Sequence, residues 1–342
     1  MNLTELRCPE CNSKEHKRHT GYTVGSGEER EIRRCQECGN HFSETKNTPL
    51  EGLRKPLSLI ILVLTAINDG MGINAAGRTF GTTRKSINRW LKRFGSLKET
   101  LLLYSLCYQF IKQLIEGDEL YTKIDKNKPP SESEGWTIVL MERASRFIWE
   151  LSCGERNEQL FRLAIETLGQ VIEQTDDLSL LTDGERRYGN ILFEICQEVI
   201  RTGQVGRPPT TLKKGIKVRV KNKGSQEHKK GPKRPKYQAP HNEHPETEQD
   251  IENVDIHANH VEGFNASLRR MLACYRRKTN TYAKLKEALQ QRLDAFWVLH
   301  NFVRPHFTTK QVPAVAMGII EKGFSLAELF RIQLVKPVTA NM

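Results

Sequence analysis

The spacing of apolar residues divides the chain into a helical region and a later region of strands and helices. Between residues 53 and 116, apolar residues recur three and four positions apart, which predicts helices. Within this region, residues 73–80 and 84–94 are two predicted helices joined by the short turn 81–83, which is typical of a helix-turn-helix unit. The strongest apolar run, 57–67, is too short to span a bilayer and predicts a buried helix.

From about residue 118 the pattern changes to short runs rich in β-branched and aromatic side chains. These runs predict strands at 120–124, 136–140, 146–151, 178–181 and 216–220. Helical periodicity predicts helices at 159–174, at 190–202 and, with breaks, from about 259 to 304. The alternation of strands and helices predicts an α/β domain.

The net charge of +12 comes from one segment of the chain. Between residues 201 and 236 there are 13 lysines or arginines and a single acid, Glu227, and the rest of the chain balances at 40 basic and 40 acidic residues. This concentration favours a polyanion partner, because each neutralised phosphate releases counterions. A solvated charge run is the alternative. No amphipathic helix or lipidation motif supports a membrane partner.

Four of the eight cysteines form two Cys-x-x-Cys pairs, Cys8 with Cys11 and Cys35 with Cys38. The 23 residues between the pairs could form a β-hairpin. No apolar stretch follows the basic start, so no signal peptide is predicted and a reducing cytoplasm is expected. The pairs are therefore predicted to hold a structural zinc ion as four thiolate ligands. The remaining cysteines are predicted to be buried thiols: Cys107, Cys153, Cys196 and Cys274.

The second helix of the predicted helix-turn-helix carries a basic and polar face. Side chains of these types reach phosphates and base edges in the major groove. The candidates for contact with DNA are Arg84, Lys85, Asn88, Arg89, Lys92 and Arg93. The alternative is an ordinary three-helix bundle whose basic face is solvated.

Three acids that are far apart in sequence could hold divalent metal ions. Asp118 lies at the start of the first predicted strand, and Asp183 lies just beyond the fourth. Glu262 begins a predicted helix and shares one face of it with Asn265 and Arg269. Carboxylates suit magnesium, and a pair of such ions can activate the attacking oxygen and stabilise the leaving one. Periodicity alone does not separate these acids from rivals, namely Glu119, Asp125 and Glu185.

Three short segments resemble the acidic motifs of DDE transposases from bacterial insertion sequences, and the insertion-sequence-one type in particular. They are GDELY at 117–121, LTDG at 181–184 and HVEGFN at 260–265. The N-terminal segments CQECGNHFS at 35–43 and TPLEGLR at 48–54 are similar to the same type. The segments NFVRPH at 301–306 and VPA at 312–314 are similar to the closing sequences of many such transposases. One departure is the 79-residue distance from Asp183 to Glu262, which is longer than in that type.

This resemblance implies an α/β protein with an RNase H-like catalytic domain, preceded by a zinc ribbon and a helical helix-turn-helix domain. The implied boundaries are 1–47 for the ribbon, 48–116 for the helix-turn-helix domain, 117–306 for the catalytic domain with a basic insertion at about 203–255, and 307–342 for a tail. Asp118, Asp183 and Glu262 would be the catalytic residues and the ligands of two magnesium or manganese ions.

The implied activity is cleavage of the ends of an insertion sequence, followed by transfer of the freed 3′-hydroxyl ends into target DNA. The ribbon and the helix-turn-helix would recognise terminal inverted repeats. Side chains expected to contact DNA near the carboxylates are Asn265, Arg269, Arg276, Arg277 and Lys278. A homodimer or larger assembly on DNA, associated with a prokaryotic nucleoid, is expected. The alternative is a non-enzymatic DNA-binding regulator, which is a domesticated transposase.

Two histidine pairs have a spacing compatible with metal binding, His241 with His244 and His257 with His260. Polar loops commonly contain such pairs, so no second metal site is predicted. His260 lies two residues before Glu262 and could instead sit near the scissile phosphate.

Overall fold

The structure of the chain is a computed structural model, and the following description covers seven stretches of it. They are residues 3–25, 27–125, 128–201, 206–221, 237–248, 257–277 and 280–335. Lys278 and much of the basic segment lie outside these stretches.

The N-terminal region is a small three-stranded sheet. Strand β1 (His16–Thr23) pairs antiparallel with β2 (Glu29–Cys35), and β3 (His41–Ser43) pairs with the other edge of β2. The predicted hairpin between the cysteine pairs is therefore confirmed. The hydrophobic cluster beneath it is limited to two buried cysteines and Phe42, with Leu6 packed against them.

Four helices follow: α1 (Leu57–Asn68), α2 (Ile73–Thr79), α3 (Arg84–Gly95) and α4 (Leu97–Ser105). Gly81 supplies the turn before α3 with a φ of +59°, a conformation that glycine adopts without strain. Thr83 then caps α3, because its side chain accepts a hydrogen bond from the backbone N–H of Ser86. The two helices and the turn predicted at 73–94 are present. The helical region, however, ends at Ser105 rather than at 116.

The central sheet has six strands. In chain order they are β4 (Gln113–Tyr121), β5 (Trp136–Glu142), β6 (Ile148–Gly154), β7 (Leu178–Thr182), β10 (Ile216–Lys221) and β11 (Tyr237–Gln238). A separate pair consists of β8 (Gln197–Val199) and β9 (Thr210–Leu212). The order across the central sheet is β11-β10-β7-β4-β5-β6. Strands β4, β5 and β6 form an antiparallel meander, whereas β7 and β10 run parallel to β4.

The remaining helices pack on this sheet and on α3. They are α5 (Glu158–Ile172), α6 (Arg186–Cys196), α7 (Asn259–Met271), α8 (Lys286–Phe302), α9 (Pro313–Ala316) and α10 (Leu326–Leu329), with 3-10 helices at Pro130–Glu132 and Ala273–Tyr275. Helix α8 contacts both α3 and β6, so it joins the helical region to the sheet.

A Cβ atom on Gly117 would contact Tyr188 of α6, whereas the neighbouring Asp118 contacts α7. Because side chains alternate along a strand, α6 and α7 lie on opposite faces of β4.

The C-terminal segment returns to the ribbon. The Gln333 side chain accepts from the backbone N–H of Arg7 at 2.8 Å and donates to its carbonyl oxygen at 2.9 Å. The backbone N–H of Leu334 donates to the carbonyl of Asn47, and that of Val335 donates to the Thr100 hydroxyl. The segment predicted as a tail therefore connects the ribbon with α4.

Several predicted boundaries are wrong. Strand β4 begins at Gln113 rather than at 120, so Asp118 lies inside the strand and not at its start. Its first residues are buried, and a buried strand has no alternating pattern that distinguishes it from a helix. Helix α6 begins at Arg186 and ends at Cys196, where the predicted helix at 190–202 gives way to β8. The predicted insertion at about 203–255 includes β10, which belongs to the central sheet.

The basic segment can be tested without disturbing β10. Residues 222–236 contain six lysines or arginines, and replacing all six with glutamine should weaken binding to duplex DNA. The slope of log K against log salt should become shallower by about 5, because each lost phosphate contact removes about 0.9. Fluorescence anisotropy between 50 and 200 mM salt measures this slope. An unchanged slope would indicate a solvated charge run.

Candidate functional site

The four cysteines of the ribbon converge on one point. All four sulfur atoms lie within 4.8 Å of one another, with Cys8 Sγ 3.6 Å from Cys38 Sγ and Cys11 Sγ 3.5 Å from Cys35 Sγ. Tetrahedral zinc with Zn–S bonds of about 2.3 Å needs sulfur atoms about 3.8 Å apart. These cysteines could therefore hold a structural metal ion such as zinc.

The backbone around the two cysteine pairs has the same form. The residue after each pair has a positive φ, +61° at Asn12 and +73° at Gly39. Burial opposes ionisation of Cys8, but hydrogen bonds from the backbone N–H groups of Cys11 and Glu10 lower the pKa of its thiol to about 7. Such donors stabilise a thiolate, which is the form that binds metal.

Two of the predicted acids are brought together by the pairing of β4 with β7. Gly117 lies opposite Thr182 in this parallel pair, so the following residues, Asp118 and Asp183, leave neighbouring strands at the same level. Burial is the main cause that raises the pKa of Asp118 to about 6, and the negative charges of Glu119 and Asp183 add to it. The Asp118 carboxylate accepts a hydrogen bond from Asn265 Nδ2 at 2.7 Å.

The third predicted acid, Glu262, is exposed and lies on α7 three residues before Asn265. Burial raises the pKa of the Tyr237 hydroxyl to about 12, and the charges of Asp183, Glu116 and Glu262 contribute. Asp183 and Glu262 thus act on the same hydroxyl. Lys221 supplies a nearby positive charge, with Nζ 3.6 Å from Asp183 Oδ1.

The three carboxylates line one region without forming a tight cluster. Among the described residues, the metal-ligating groups whose ligand atoms all lie within 4.8 Å of one another are the four cysteines and the set of Glu116, His257 and His260. The ligand atoms of Asp118, Asp183 and Glu262 therefore span a greater distance than the four cysteine sulfur atoms do.

Two rival acids are already engaged in ion pairs. Arg156 Nη2 lies 3.0 Å from Glu119 Oε2 and 3.1 Å from Glu185 Oε2, and Arg187 also pairs with Glu185 at 2.8 Å. These contacts give Glu119 and Glu185 a structural role beside the site. Asp183 and Asp118 have fewer compensating charges.

The donor atoms around Asp118 suit a hard divalent cation. The Asn265 side chain is buried, and its Oδ1 atom has no hydrogen-bond partner within the described part of the chain. A buried acceptor without a partner is costly, and an amide oxygen beside carboxylates is a donor set that magnesium and manganese accept. A cation would also offset the burial and the neighbouring negative charges that raise the Asp118 pKa.

A basic cleft adjoins Asp118. It has a volume of about 360 Å³ and is lined by Tyr121, Thr122, Lys123, Arg269, Tyr275, Arg276, Arg277 and Tyr282. Burial and the like charge of Arg277 lower the pKa of Arg269, while Asp118 opposes this. Arg276 donates to the carbonyl oxygen of Gly70 at 2.9 Å, so it also joins this region to α1. Lys278 lies outside the described residues.

A second cleft, of about 350 Å³, separates α2 and α3 from residues 280–292. Its basic lining residues are Arg78, Arg84, Lys284 and Arg292. Tyr282 lines both clefts, so the two basic clefts adjoin each other at this side chain. Of the six predicted contact residues on α3, Arg84, Lys85, Arg89 and Lys92 are exposed, and Asn88 and Arg93 are partly buried.

Sequence reasoning missed Glu116, which is a fully buried acid on β4. It pairs with Arg143, with Nε 2.7 Å from Oε1, and it accepts a hydrogen bond from the ring of His260 at 2.8 Å. The pair His257 and His260 therefore meets a carboxylate, but an arginine already occupies that carboxylate. The available signal was an acid among the apolar residues just before Asp118. It was not recognised because the helical region was predicted to extend to residue 116, so Glu116 was not placed on the strand.

The other cysteines differ from the prediction at one position. Cys153, Cys196 and Cys274 are buried as predicted, whereas Cys107 is exposed just after the end of α4. Across the described ranges, none of the helices combines the length and apolar character needed to cross a membrane.

Cys11→Ser should reduce bound zinc from about one equivalent per chain to nearly none, because three thiolates leave the tetrahedral site open. Elemental analysis of the purified full chain measures the zinc content. Amide hydrogen exchange of β1 and β2 should accelerate, because metal binding supplies much of the folding free energy of such small sheets. Cys107→Ser is the matched control and should retain zinc. Equal zinc contents in the two variants would contradict the site.

Asp118→Asn should stabilise the protein more at pH 8 than at pH 5. The measurement uses protein from which metals other than zinc have been removed. Folding raises the pKa of this carboxyl from the ordinary 3.8 to about 6, so stability is lost as the pH rises through that interval. The gain in free energy of unfolding should be larger at pH 8 by about 1 kcal/mol. Urea unfolding at both pH values measures it. An equal gain at both pH values would show that folding does not raise the pKa of Asp118.

No family model matches this chain, and the search of the curated proteins finds no match.

Proposed function

We propose that the chain is a DNA transposase that cuts the ends of an insertion sequence and joins them to target DNA. The observation that carries the proposal is the placement of Asp118 and Asp183 at one level of two parallel strands, beside the helix that bears Glu262 and Asn265. The sheet order β6-β5-β4-β7-β10, antiparallel and then parallel about β4, is compatible with an RNase H-like domain and supports the proposal.

Asp118, Asp183 and Glu262 would hold two magnesium or manganese ions, and Asn265 would orient Asp118. Such ions supply an activated oxygen nucleophile and stabilise charge on the leaving oxygen. Above a pH of about 6 the Asp118 carboxylate is ionised, which is the form that binds a cation. Arg269 and Arg277 lie in the adjoining cleft, where they would hold the phosphates next to the scissile bond.

The proposed reaction has two transfers at the phosphorus atom. Water forms a bond to the phosphorus at each end of the element and the bond to the 3′-oxygen breaks, which leaves a 3′-hydroxyl. This hydroxyl then forms a bond to a phosphorus of the target DNA, and the bond to the target 3′-oxygen breaks. Each transfer forms one P–O bond and breaks another: the first leaves a 5′-phosphate beside the 3′-hydroxyl, and the second makes a new phosphodiester and releases a target 3′-hydroxyl, so no redox partner is needed.

The DNA would enter along the two basic clefts, which lie between α3 and the carboxylates. Exposed side chains of α3, among them Arg84 and Arg89, would contact the terminal repeat, and the two clefts would guide the phosphate backbone past Tyr282. The zinc ribbon would add to end recognition. Because two ends must be joined together, we propose that a homodimer or larger assembly acts on DNA in the cytoplasm.

A non-enzymatic DNA-binding regulator is the second candidate. The observation in its favour is the spacing of the three carboxylates, which is wider than that of the ribbon cysteines among the described residues. The regulator would use α3 and the basic clefts alone. In that case the neighbouring placement of Asp118 and Asp183 would have no catalytic use.

Asp183→Asn should lower cleavage of labelled DNA carrying the element ends by more than about 100-fold in magnesium, because even groups that only support a metal ligand cost 10–100-fold. Its affinity for the same DNA should remain close to that of the unchanged protein. Glu185→Gln is the matched control: this acid is nearby, pairs with Arg187 and should leave cleavage largely unchanged. Full cleavage by Asp183→Asn would overturn the catalytic assignment.

Loss of cleavage in both variants would point to a damaged fold, which thermal unfolding of each variant would reveal. Absence of cleavage by the unchanged protein, with intact binding to the element ends, would favour the regulator.

A further inference from the structure

Glu116 is a buried carboxylate on the strand that carries Asp118. The two acids are two residues apart, so their side chains leave the same face of β4. Glu116 has no solvent-exposed surface. A charge in such a position persists only when it is paired and hydrogen-bonded, so its partners indicate its role.

Both oxygens of Glu116 are used at the beginning of α7. Oε2 accepts hydrogen bonds from the backbone N–H groups of His260 and Val261, each at 3.0 Å. Oε1 accepts from Arg143 Nε at 2.7 Å and from the His260 ring at 2.8 Å. The first N–H groups of a helix have no partner within the helix and carry partial positive charge. Glu116 therefore caps α7 from the neighbouring strand.

Arg143 completes this attachment. It donates to the backbone carbonyl oxygen of His257, just before α7 begins at Asn259, as well as to Glu116. One arginine thus connects the sheet acid to the chain that enters the helix. Since this guanidinium sits directly against the carboxylate, a cation has no favourable place among Glu116, His257 and His260, although the three are close together.

A second contact holds α7 one turn further along. Asn265 Nδ2 donates to Asp118 Oδ2 at 2.7 Å. Glu262 lies between the two attachments, after His260 and Val261 and before Asn265. The helix backbone at Glu262 is thereby held between two polar contacts, both made to the same face of β4.

We propose that Glu116 is a positioning residue, which fixes the N-terminus of α7 on β4 and thereby holds the part of the helix that bears Glu262 in place beside Asp118. This inference rests on the proposed function. Without Glu116 the helix is held at this end by apolar contacts of Val261 and Phe264, which are not directional. A displacement of about 1 Å in a catalytic group can cost about 100-fold in rate.

The experiment measures manganese binding to the zinc-loaded full chain by electron paramagnetic resonance. Glu116→Gln should weaken manganese binding 10- to 100-fold, as loss of a group that orients a metal ligand does, and Glu116→Ala should weaken it further. Affinity for DNA should change much less, because most of the side chains proposed to contact DNA lie on α3 and in the cleft beside it rather than on α7. Asp118→Asn identifies the signal, since it should remove binding at this site.

Glu142→Gln is the matched control. Glu142 is also a buried acid at the end of a central strand, and it accepts backbone hydrogen bonds from Ala144 at 3.0 Å and Ser145 at 2.7 Å. It caps a turn rather than α7. Its replacement should lower the unfolding temperature as Glu116→Gln does, but should leave manganese affinity unchanged. Parallel losses of manganese affinity in both variants would reduce Glu116 to a structural role.

A second measurement follows α7 directly. Hydrogen exchange of the amides of His260 and Val261 should accelerate in Glu116→Ala and stay unchanged in Glu142→Gln. Equal manganese affinity and equal exchange in Glu116→Ala and the unchanged chain would overturn the inference while leaving the proposed function intact. Absence of any manganese binding that depends on Asp118 in the unchanged chain would overturn the proposed function itself.

Discussion

The parallel pairing of β4 with β7 is the constraint on which the arrangement of the site depends. It sets Gly117 opposite Thr182, and the two acids that follow these residues, Asp118 and Asp183, are positioned by that register. A Cβ atom on Gly117 would lie 3.1 Å from the Leu140 side chain and 3.3 Å from that of Thr182, which is tighter than an ordinary van der Waals contact. A larger residue beside Asp118 would therefore require the side chains of the neighbouring strands to shift.

This packing creates an electrostatic imbalance at the end of the two strands. Asp118 is partly buried, and its neighbours Glu119 and Asp183 are also acidic. Arg156 compensates Glu119, and Lys221 lies within reach of Asp183, but Asp118 receives a neutral amide from Asn265. Strongly shifted carboxyls of this kind concentrate at functional sites. A bound cation would remove most of this imbalance.

The sequence predicts the regular parts of the fold well and the contacts between them poorly. The ribbon hairpin, α3, β5 and β7 each carry a local signal, namely paired cysteines, a polar turn before an amphipathic helix, or runs of β-branched residues. The beginning of β4 carries no such signal, because its residues are buried on both faces. As a consequence, Glu116 could not be recognised. Its partners Arg143 and His260 are 27 and 144 residues away, and only the tertiary structure brings such groups together. The same holds for Tyr282, which joins the two basic clefts.

The hydrogen bonds between Arg7 and Gln333 join positions 326 residues apart in the chain. The hydrophobic cluster of the ribbon is local, so its hairpin can form before the neighbouring elements fold. Its contacts with α4 and the C-terminal segment require that residues on both sides of this long separation are already ordered. Contacts of such long sequence separation form late and slowly. The orientation of the ribbon relative to the central sheet is therefore among the last features acquired during folding.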